Sequence, residues 1–336
     1  RGSGSSHYTD VLDSVEIYDP NADVWQLATP MQTPRAGATA SLLSDGRVLI
    51  AGGTKGNSQN QLGDVNDLLG TAVRTTEIYN PATDVWVSGP NLQEPKAGAS
   101  STTLQDGRVM IAGGLTHTYI FGIAIPAFSD TACFYNPATG GFDPKKTMVT
   151  KRALFAMALL SDGRVLLAGG GGGDILNIGP IKQCEVFNPA SSSFSSVGNL
   201  TTSSAFASCV SLKDGRALVV GGATGSIDDP LPIADCWVFE PSSGSMTSVS
   251  SLSVEHAGGA VFRKRWTSDS TSTECCATVK AQSPVVCPFQ RATRDSPWAI
   301  SSISISTGVG SSRSSLRPDN IRCHARDCCA ILLLCL

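Results

Sequence analysis

The chain has 336 residues, of which 41% are hydrophobic and 16% are charged, and its net charge is −3. This balance gives no basic surface of the kind that nucleic acid requires. The apolar run at 330–336 is far shorter than the ~20 residues of a membrane span. We therefore expect neither nucleic acid nor a membrane as a partner.

An internal repeat governs most of the chain. Asp-Gly-Arg, four apolar residues and Gly-Gly recur from Asp45, Asp106, Asp162 and Asp214, at spacings of 61, 56 and 52 residues. A stretch rich in small residues precedes each copy, at 35–43, 96–104, 152–160 and 204–212. An aromatic-Asx/Glu-Pro follows, with a second, mostly aromatic position seven residues later; the pairs are Tyr18 and Trp25, Tyr79 and Trp86, Tyr135 and Phe142, Phe187 and Phe194, and Phe239 and Met246. A repeat of this length indicates a propeller or an array.

Each repeat predicts four short antiparallel strands. The small-residue stretch is the first strand, and Asp-Gly makes the hairpin to the second. The second strand is continuously apolar, which predicts burial on both faces. The Gly doublet ends it, where glycine permits a sharp exit or a close backbone contact. Radial stacking of such units buries both faces of each sheet, with the small first strands at the axis.

The three motifs in register resemble the kelch repeat over residues 1–262. The resemblance implies an all-β, kelch-type β-propeller of four-stranded blades. We expect about five blades in an incomplete ring: a partial first blade at 1–30, four full blades at about 33–248 and a lone strand at 255–262. Phe142, Phe194 and Met246 depart from the usual tryptophan.

The pattern stops after Phe262. Residues 263–336 hold 7 of the 11 cysteines and 13 serines, with no Gly doublet. We interpret this segment as a Ser/Cys-rich tail that is disordered or out of frame, with a small folded module as the lesser alternative. The single cysteines of the repeats, Cys133, Cys184, Cys209 and Cys236, are predicted to be buried, which favours a reducing compartment such as the cytoplasm.

Two predicted sites lie on the face that carries the long, variable loops 54–74, 115–130, 171–182 and 223–234. Arg35, Lys96, Arg152 and His256 precede the first strands, and the kelch resemblance implies that basic residues here bind a ligand or partner. Such a ring suits an acidic peptide; the alternative is cations that are solvated or that satisfy loop carbonyls. The apolar loop 115–130, with His117, Tyr119 and Phe121, predicts a partner-binding knob; the alternative is a loop that folds over the channel mouth or packs on a missing blade.

The sequence thus favours a non-catalytic scaffold that binds a protein or peptide through its variable face, without a cofactor or metal. The alternative is a carbohydrate-directed enzyme or binding protein, since the resemblance extends to galactose-oxidase-like copper radical oxidases and to propellers that act on sialic acids. A copper site would require His7, His117 and Tyr119 to converge.

Overall fold

The computed structural model describes residues 9–19, 22–56, 61–62, 70–120, 123–173, 178–226, 229–258, 260–265, 274–279 and 332–333. The strands in chain order are β1 (Thr9–Asp10), β2 (Val15–Asp19), β3 (Val24–Ala28), β4 (Thr39–Leu42), β5 (Val48–Ala51), β6 (Gln61–Leu62), β7 (Thr76–Asn80), β8 (Val85–Ser88), β9 (Ser100–Thr103), β10 (Val109–Ala112), β11 (Leu115–Ile120), β12 (Ile123–Phe128), β13 (Thr131–Asn136), β14 (Gly141–Thr147), β15 (Ala156–Leu159), β16 (Val165–Ala168), β17 (Gly171–Gly172), β18 (Gly179–Pro180), β19 (Cys184–Asn188), β20 (Ser193–Ser196), β21 (Ser208–Ser211), β22 (Ala217–Val220), β23 (Ala223–Gly225), β24 (Pro230–Pro232), β25 (Cys236–Glu240), β26 (Ser245–Val249), β27 (Ala260–Arg265), β28 (Glu274–Val279) and β29 (Leu332–Leu333).

Four antiparallel four-stranded sheets form the body of the fold, as the repeat predicts. We call them blade 1 (β4-β5-β7-β8), blade 2 (β9-β10-β13-β14), blade 3 (β15-β16-β19-β20) and blade 4 (β21-β22-β25-β26). The first strands of neighbouring blades lie side by side in the order β4, β9, β15, β21 and β27. Among the described residues this series is open and does not close into a ring. The fold is therefore a β-propeller, with small residues on the innermost strands.

The first strands are shorter than the small-residue stretches that predict them. In blade 1 the stretch begins at Arg35, but β4 begins at Thr39. Likewise the predicted strand at 255–262 is observed as β27, which begins at Ala260 and runs to Arg265, across the predicted boundary at 262. In the four blades a residue before the first strand instead forms an isolated bridge with the residue that follows its own blade's Gly doublet, as Ala36 does with Thr54.

The Asp-Gly hairpins form at the predicted places. Their turns differ from the two-residue turn, with both central residues at positive φ, that Asp-Gly favours. In blade 1 the Gly46 amide donates to the Leu43 oxygen at 3.0 Å, and the Leu43 amide donates to the Arg47 oxygen at 2.8 Å. Only Gly46, at φ 85°, is left-handed, so this is a three-residue loop with a bulge rather than a two-residue turn. Asp45 stabilises it by accepting from the Arg47 amide and side chain.

The core lies between blades, not within a central layer. The second strand of blade 2, Val109–Ala112, is buried along its whole length, as predicted. One of its faces packs on blade 1 through Leu49 and Ile78. The other packs on blade 3 through Val165 and Leu167. Blades 3 and 4 share a corresponding cluster, which contains Trp237.

The cysteines of the repeats contribute to these clusters. Cys133, Cys184 and Cys236 are buried and Cys209 is half-buried, and all four are free thiols. Burial raises the pKa of the Cys133 and Cys184 thiols, which keeps them protonated. Among these four residues the prediction of small buried hydrophobes is confirmed for three.

The two ends of the series are built differently from the four blades. Strands β2 and β3 pair where the sequence predicts a partial first blade, and β29 adds beside β2. Strands β27 and β28 form a two-stranded hairpin. In the part of the chain that the structure describes, no helix has the length and apolar character of a membrane span.

Candidate functional site

The two faces of the propeller differ in their loops. On one face lie the Asp-Gly hairpins and the turns between third and fourth strands, which are short and nearly identical in every blade. On the other face the connections between second and third strands form two-stranded ribbons: β11–β12, β17–β18 and β23–β24, with β6 pairing β1 in the corresponding connection of blade 1. We call this second side the variable face. Sequence differences between the blades are concentrated there.

The ribbon of blade 2 is the largest. Strands β11 and β12 pair over six positions, from Leu115 opposite Phe128 to Ile120 opposite Ile123. The ribbon is rooted by a bridge in which Leu115 and Ala97 exchange amide hydrogen bonds of 2.6 and 2.9 Å. Predicted site residues His117 and Tyr119 lie on β11, and His117 is half-buried. Phe121 and His7 lie outside the described residues, so the convergence that a copper site needs stays untested.

The residue that opens each repeat, here called the leading residue, is Arg35, Lys96, Arg152, Ser204 or His256. In the last four, the backbone oxygen accepts from the second glycine of the preceding blade's doublet, as in Gly114 to Arg152 at 2.8 Å. The side chains of the first four turn inward to the first glycine of their own blade. Arg35, Lys96 and Arg152 donate there to the oxygens of Gly52, Gly113 and Gly169 at 2.8, 2.9 and 2.7 Å.

Arg35 is fully enclosed and paired. Its side chain is 0% exposed and lies 2.9 Å from the Glu77 carboxylate. Glu77 stands on the third strand of blade 1 and also accepts from the amides of Gln32 and Thr33 at 2.6 and 3.1 Å. The Arg35 guanidinium also donates to the Thr75 oxygen at 3.0 Å. The pair therefore joins the first sheet to blade 1 through one buried carboxylate.

Arg152 repeats this arrangement two blades further on. The Arg152 Nη2 and Glu185 Oε1 atoms form an ion pair at 2.8 Å, although their geometry is not that of an aligned hydrogen bond. The two side chains are 0% and 1% exposed. Burial lowers the pKa of Arg152, and the Glu185 charge opposes that shift. Glu185 also accepts from the Val149 amide at 2.7 Å, as Glu77 does from Gln32.

In blade 2 the acidic partner comes from a different position. Lys96 pairs at 2.8 Å with Glu94, two residues earlier, and its ammonium also donates to Ser129 and Thr131. Burial would raise the pKa of Glu94, but Lys96 and the two hydroxyls lower it to about 2. Cys133 holds the strand position that Glu77 and Glu185 hold in their blades. The charge of Lys96 is therefore balanced by an acid from another repeat position.

Blade 4 has neither charge of the pair. Its leading residue, Ser204, donates to the Gly221 oxygen at 2.8 Å, and Trp237 occupies the position of Glu77. The Trp237 indole donates to Thr201 at 2.9 Å. His256, the fifth leading residue, is half-buried, and its Nε2 is a buried atom with no hydrogen-bond partner among the described residues.

These positions correct the predicted positive ring. Arg35, Lys96 and Arg152 are 1%, 1% and 0% exposed, so they present no cation to a bound peptide. The alternative weighed from sequence, cations that satisfy loop carbonyls, describes what they do. The acids that neutralise Arg35 and Arg152, at Glu77 and Glu185, occupy one repeat position and could have been found by aligning the repeats. Partner binding by the variable face as such stays a prediction.

A row of backbone hydrogen bonds, here called the collar, links the segments that precede the first strands of neighbouring blades. Its members lie two positions after each leading residue: Gly37, Gly98, Leu154, Phe206 and Gly258. Each amide donates to the preceding member's oxygen, at 2.8, 2.8, 2.8 and 3.0 Å. All five have left-handed φ values between 56° and 69°. No sequence signal exposed this collar, because Leu154 and Phe206 hide the glycine pattern.

The first strands below the collar line a cavity of about 370 Å³. Four of the ten lining residues carry hydroxyls. Two of these hydroxyls are engaged between blades: Ser100 donates to the Phe155 oxygen at 2.7 Å, and Ser101 accepts from Ser41 at 2.8 Å. These hydroxyls therefore join neighbouring blades. The ribbons of the variable face remain the part of the molecule that differs from blade to blade.

This fold and this arrangement of blades define a β-propeller whose repeats are fastened by their Gly doublets. The sequence model described as "Kelch motif" matches residues 35–93, so this part of the chain carries a kelch motif. A solved structure titled "Structure of YjhT" is similar to it at 12% identity and a TM-score of 0.57. The match covers 82% of this chain and 96% of that one, and it concerns the fold alone.

Proposed function

We propose that this chain is a non-catalytic kelch-repeat scaffold that binds a protein partner through the ribbons of its variable face. The observation that carries the proposal is the six-pair ribbon β11–β12 beside the shorter ribbons of blades 3 and 4. Rigid blades hold variable loops in fixed positions, which is how scaffolds present recognition residues.

The composition of the ribbon favours a protein as partner. Residues 119–128 read Tyr-Ile-Phe-Gly-Ile-Ala-Ile-Pro-Ala-Phe, without a charge. Apolar and aromatic residues are enriched at the centres of protein interfaces, whereas charged residues are depleted there. An acidic peptide is a poorer fit, since the cations that would hold it are buried in ion pairs.

A ribbon exchange tests the proposal. Residues 115–128 are replaced by 223–232, because both ribbons are rooted by the same pair of backbone hydrogen bonds, Leu115 with Ala97 and Ala223 with Ala205. The control is Arg47→Ala on the opposite face, where the side chain is 36% exposed. Partners found by quantitative affinity purification are then made recombinantly and titrated against the three proteins.

Loss of binding on ribbon exchange, with full binding by Arg47→Ala, supports the proposal. Equal binding by all three proteins contradicts it. Binding to a glycan array by the unaltered chain, without any protein partner, would favour the carbohydrate-directed alternative instead.

A further inference from the structure

In blades 1 and 3 a carboxylate on the third strand fastens the segment that leads into the blade. In blade 3, Glu185 accepts from the amides of Val149 and Thr150 at 2.7 and 3.4 Å. It also pairs with Arg152 at 2.8 Å. Blade 1 repeats these contacts around Glu77. In both blades the donors are two consecutive amides and, two residues after the second amide, the leading side chain.

The first sheet, β29-β2-β3, carries an acid at the same repeat position. Glu16 lies on β2, two residues before Tyr18. Glu77 has the same place before Tyr79 on β7. Glu16 is half-buried, and no hydrogen bond or ion pair joins its carboxylate to another described residue. The acid position of the first sheet is therefore unfastened.

The segment that follows blade 4 has the backbone hydrogen bonds of a fastening segment. The Leu252 and His256 amides donate, at 2.8 and 3.0 Å, to oxygens just before the third strand of blade 4. The Met148 and Arg152 amides make the same two bonds in blade 2, at 2.6 and 3.2 Å. The two residues after Leu252 therefore take the places of the two amide donors, and His256 takes the place of the arginine.

The donors of this segment lack an acceptor among the described residues. The Ser253 and Val254 amides donate to none of them, and both residues are exposed. The His256 Nε2 atom is buried without a hydrogen-bond partner in the same part of the chain, which is costly for a polar atom. One end of the blade series thus has a carboxylate without its donors, and the other end has the donors without their carboxylate.

The strands at the two ends complement each other as well. β27 follows β21 in the series of first strands, whereas β2 and β3 are a third and a fourth strand. The tail supplies a second strand to each half, because β28 pairs with β27 and β29 pairs with β2. Leu333 of β29 lies opposite Glu16, as Ile50 lies opposite Glu77 in blade 1. A blade has room for one second strand, so the two ends hold the parts of a single blade.

We infer that residues 253–256 latch onto Glu16 of the same chain and close the first sheet and the four blades into one ring. The two free amides donate to the Glu16 carboxylate, and the His256 imidazole takes the part of the arginines of blades 1 and 3. The latch gives the buried His256 Nε2 atom its acceptor. It also unites β27, β2 and β3 in one blade, which retains one of the two tail strands.

Photo-cross-linking of the full chain tests the contact. A benzophenone amino acid in place of Ser253 should link to the peptide that contains β2, and mass spectrometry identifies the product. The matched control carries the same probe at Val149, which holds the equivalent position in blade 3, and should link to the peptide that contains β19. An equal mixture of isotopically labelled and unlabelled chains shows whether the link lies within one chain.

A link from Ser253 to β2 within one chain supports the latch. A link only to other peptides, a link between chains, or no link at all, with the control linked as expected, overturns it.

A pair of substitutions tests the chemistry of the latch. His256→Arg should raise the midpoint of urea unfolding of the full chain, because arginine pairs more strongly with a carboxylate and stands at this position in blades 1 and 3. In the Glu16→Gln background the same substitution should give no rise. An equal change in both backgrounds, or no rise in the unaltered background, overturns the inference.

Discussion

The Gly53 amide donates to the Lys96 carbonyl oxygen at 2.7 Å, so the doublet of blade 1 is held by the residue that opens blade 2. The same bond joins Gly170 to Ser204 at 2.7 Å and Gly222 to His256 at 2.6 Å. Only backbone atoms take part, so the leading residue can be Lys, Arg, Ser or His. Blade order is thus fixed at the doublets.

The first glycine of each doublet should tolerate no side chain. A Cβ at Gly113 would lie 2.3 Å from the Arg152 oxygen, a backbone atom of the next blade. We expect Gly113→Ala to lose about 1–2 kcal/mol from its left-handed φ of 63° and about 1–3 kcal/mol more from the overlap. Equilibrium urea unfolding measures the loss.

The matched control is Gly46→Ala, at φ 85° with nothing within 4 Å of the added Cβ. It should lose only the conformational part, about 1–2 kcal/mol. Equal losses at Gly46 and Gly113 would show that the close approach to Arg152 contributes nothing.

The buried pair of Arg152 and Glu185 should act as one unit. Arg152→Met leaves the carboxylate buried without its cation, which costs about 3–5 kcal/mol of unfolding free energy. The double variant Arg152→Met/Glu185→Leu should lose less than the sum of the two single losses, because no charge is stranded. The exposed pair supplies a control: Arg47→Met should cost no more than about 1 kcal/mol. Additive losses at Arg152 and Glu185 would exclude coupling.

Glu94 should make stability depend on pH in the acid range. Its pKa is about 2 in the folded chain against 4.5 for the free group, so its contribution is complete above about 4.5. The contribution is lost as pH falls from about 4.5 through about 2, because the unfolded chain takes up the proton more readily. Urea unfolding at several pH values should show the gap between the unaltered chain and Glu94→Gln closing over this range.

A Lys96→Met background serves as the control for Glu94. Without the ammonium, Glu94→Gln should change the pH profile much less. A gap between unaltered chain and Glu94→Gln that is constant from pH 6 to about 2 would contradict the lowered pKa.

Ser192 occupies a turn position that favours glycine. Its φ is 52°, and blades 2 and 4 have Gly140 and Gly244 there, at φ 66° and 68°. Ser192→Gly should raise the unfolding free energy by about 0.5–1 kcal/mol, since the relief of left-handed strain exceeds the added chain entropy. Ala190→Gly, in the same turn without a left-handed φ, should lower it by about 0.5–1 kcal/mol. Thermal unfolding of both variants compares them, and a loss at Ser192 would contradict the strain.

The sequence predicts the blades because their signals are local and recur. The hairpin at Asp45–Arg47, the apolar strand Val109–Ala112 and the aromatic positions all depend on neighbours within one repeat. The environment of the leading side chains depends on other elements, since Arg35 donates to Glu77 on the third strand of its blade. The partner of Lys96 is harder still to predict, because its acid is Glu94, at a different repeat position from Glu77 and Glu185. Contacts between repeats can be predicted only by aligning equivalent positions of the repeats, because the residue types at those positions differ.

Constant spacing within the repeat has a consequence for how such chains change. From Arg35 to Gly52, Lys96 to Gly113, Arg152 to Gly169 and Ser204 to Gly221 the distance is always 17 residues, although the repeat shrinks from 61 to 52. All the length that varies lies after the doublet, in the ribbons. Recombination at the doublets would therefore exchange whole blades and keep the hydrogen bond between each doublet and the next leading residue. The blades are thus interchangeable units.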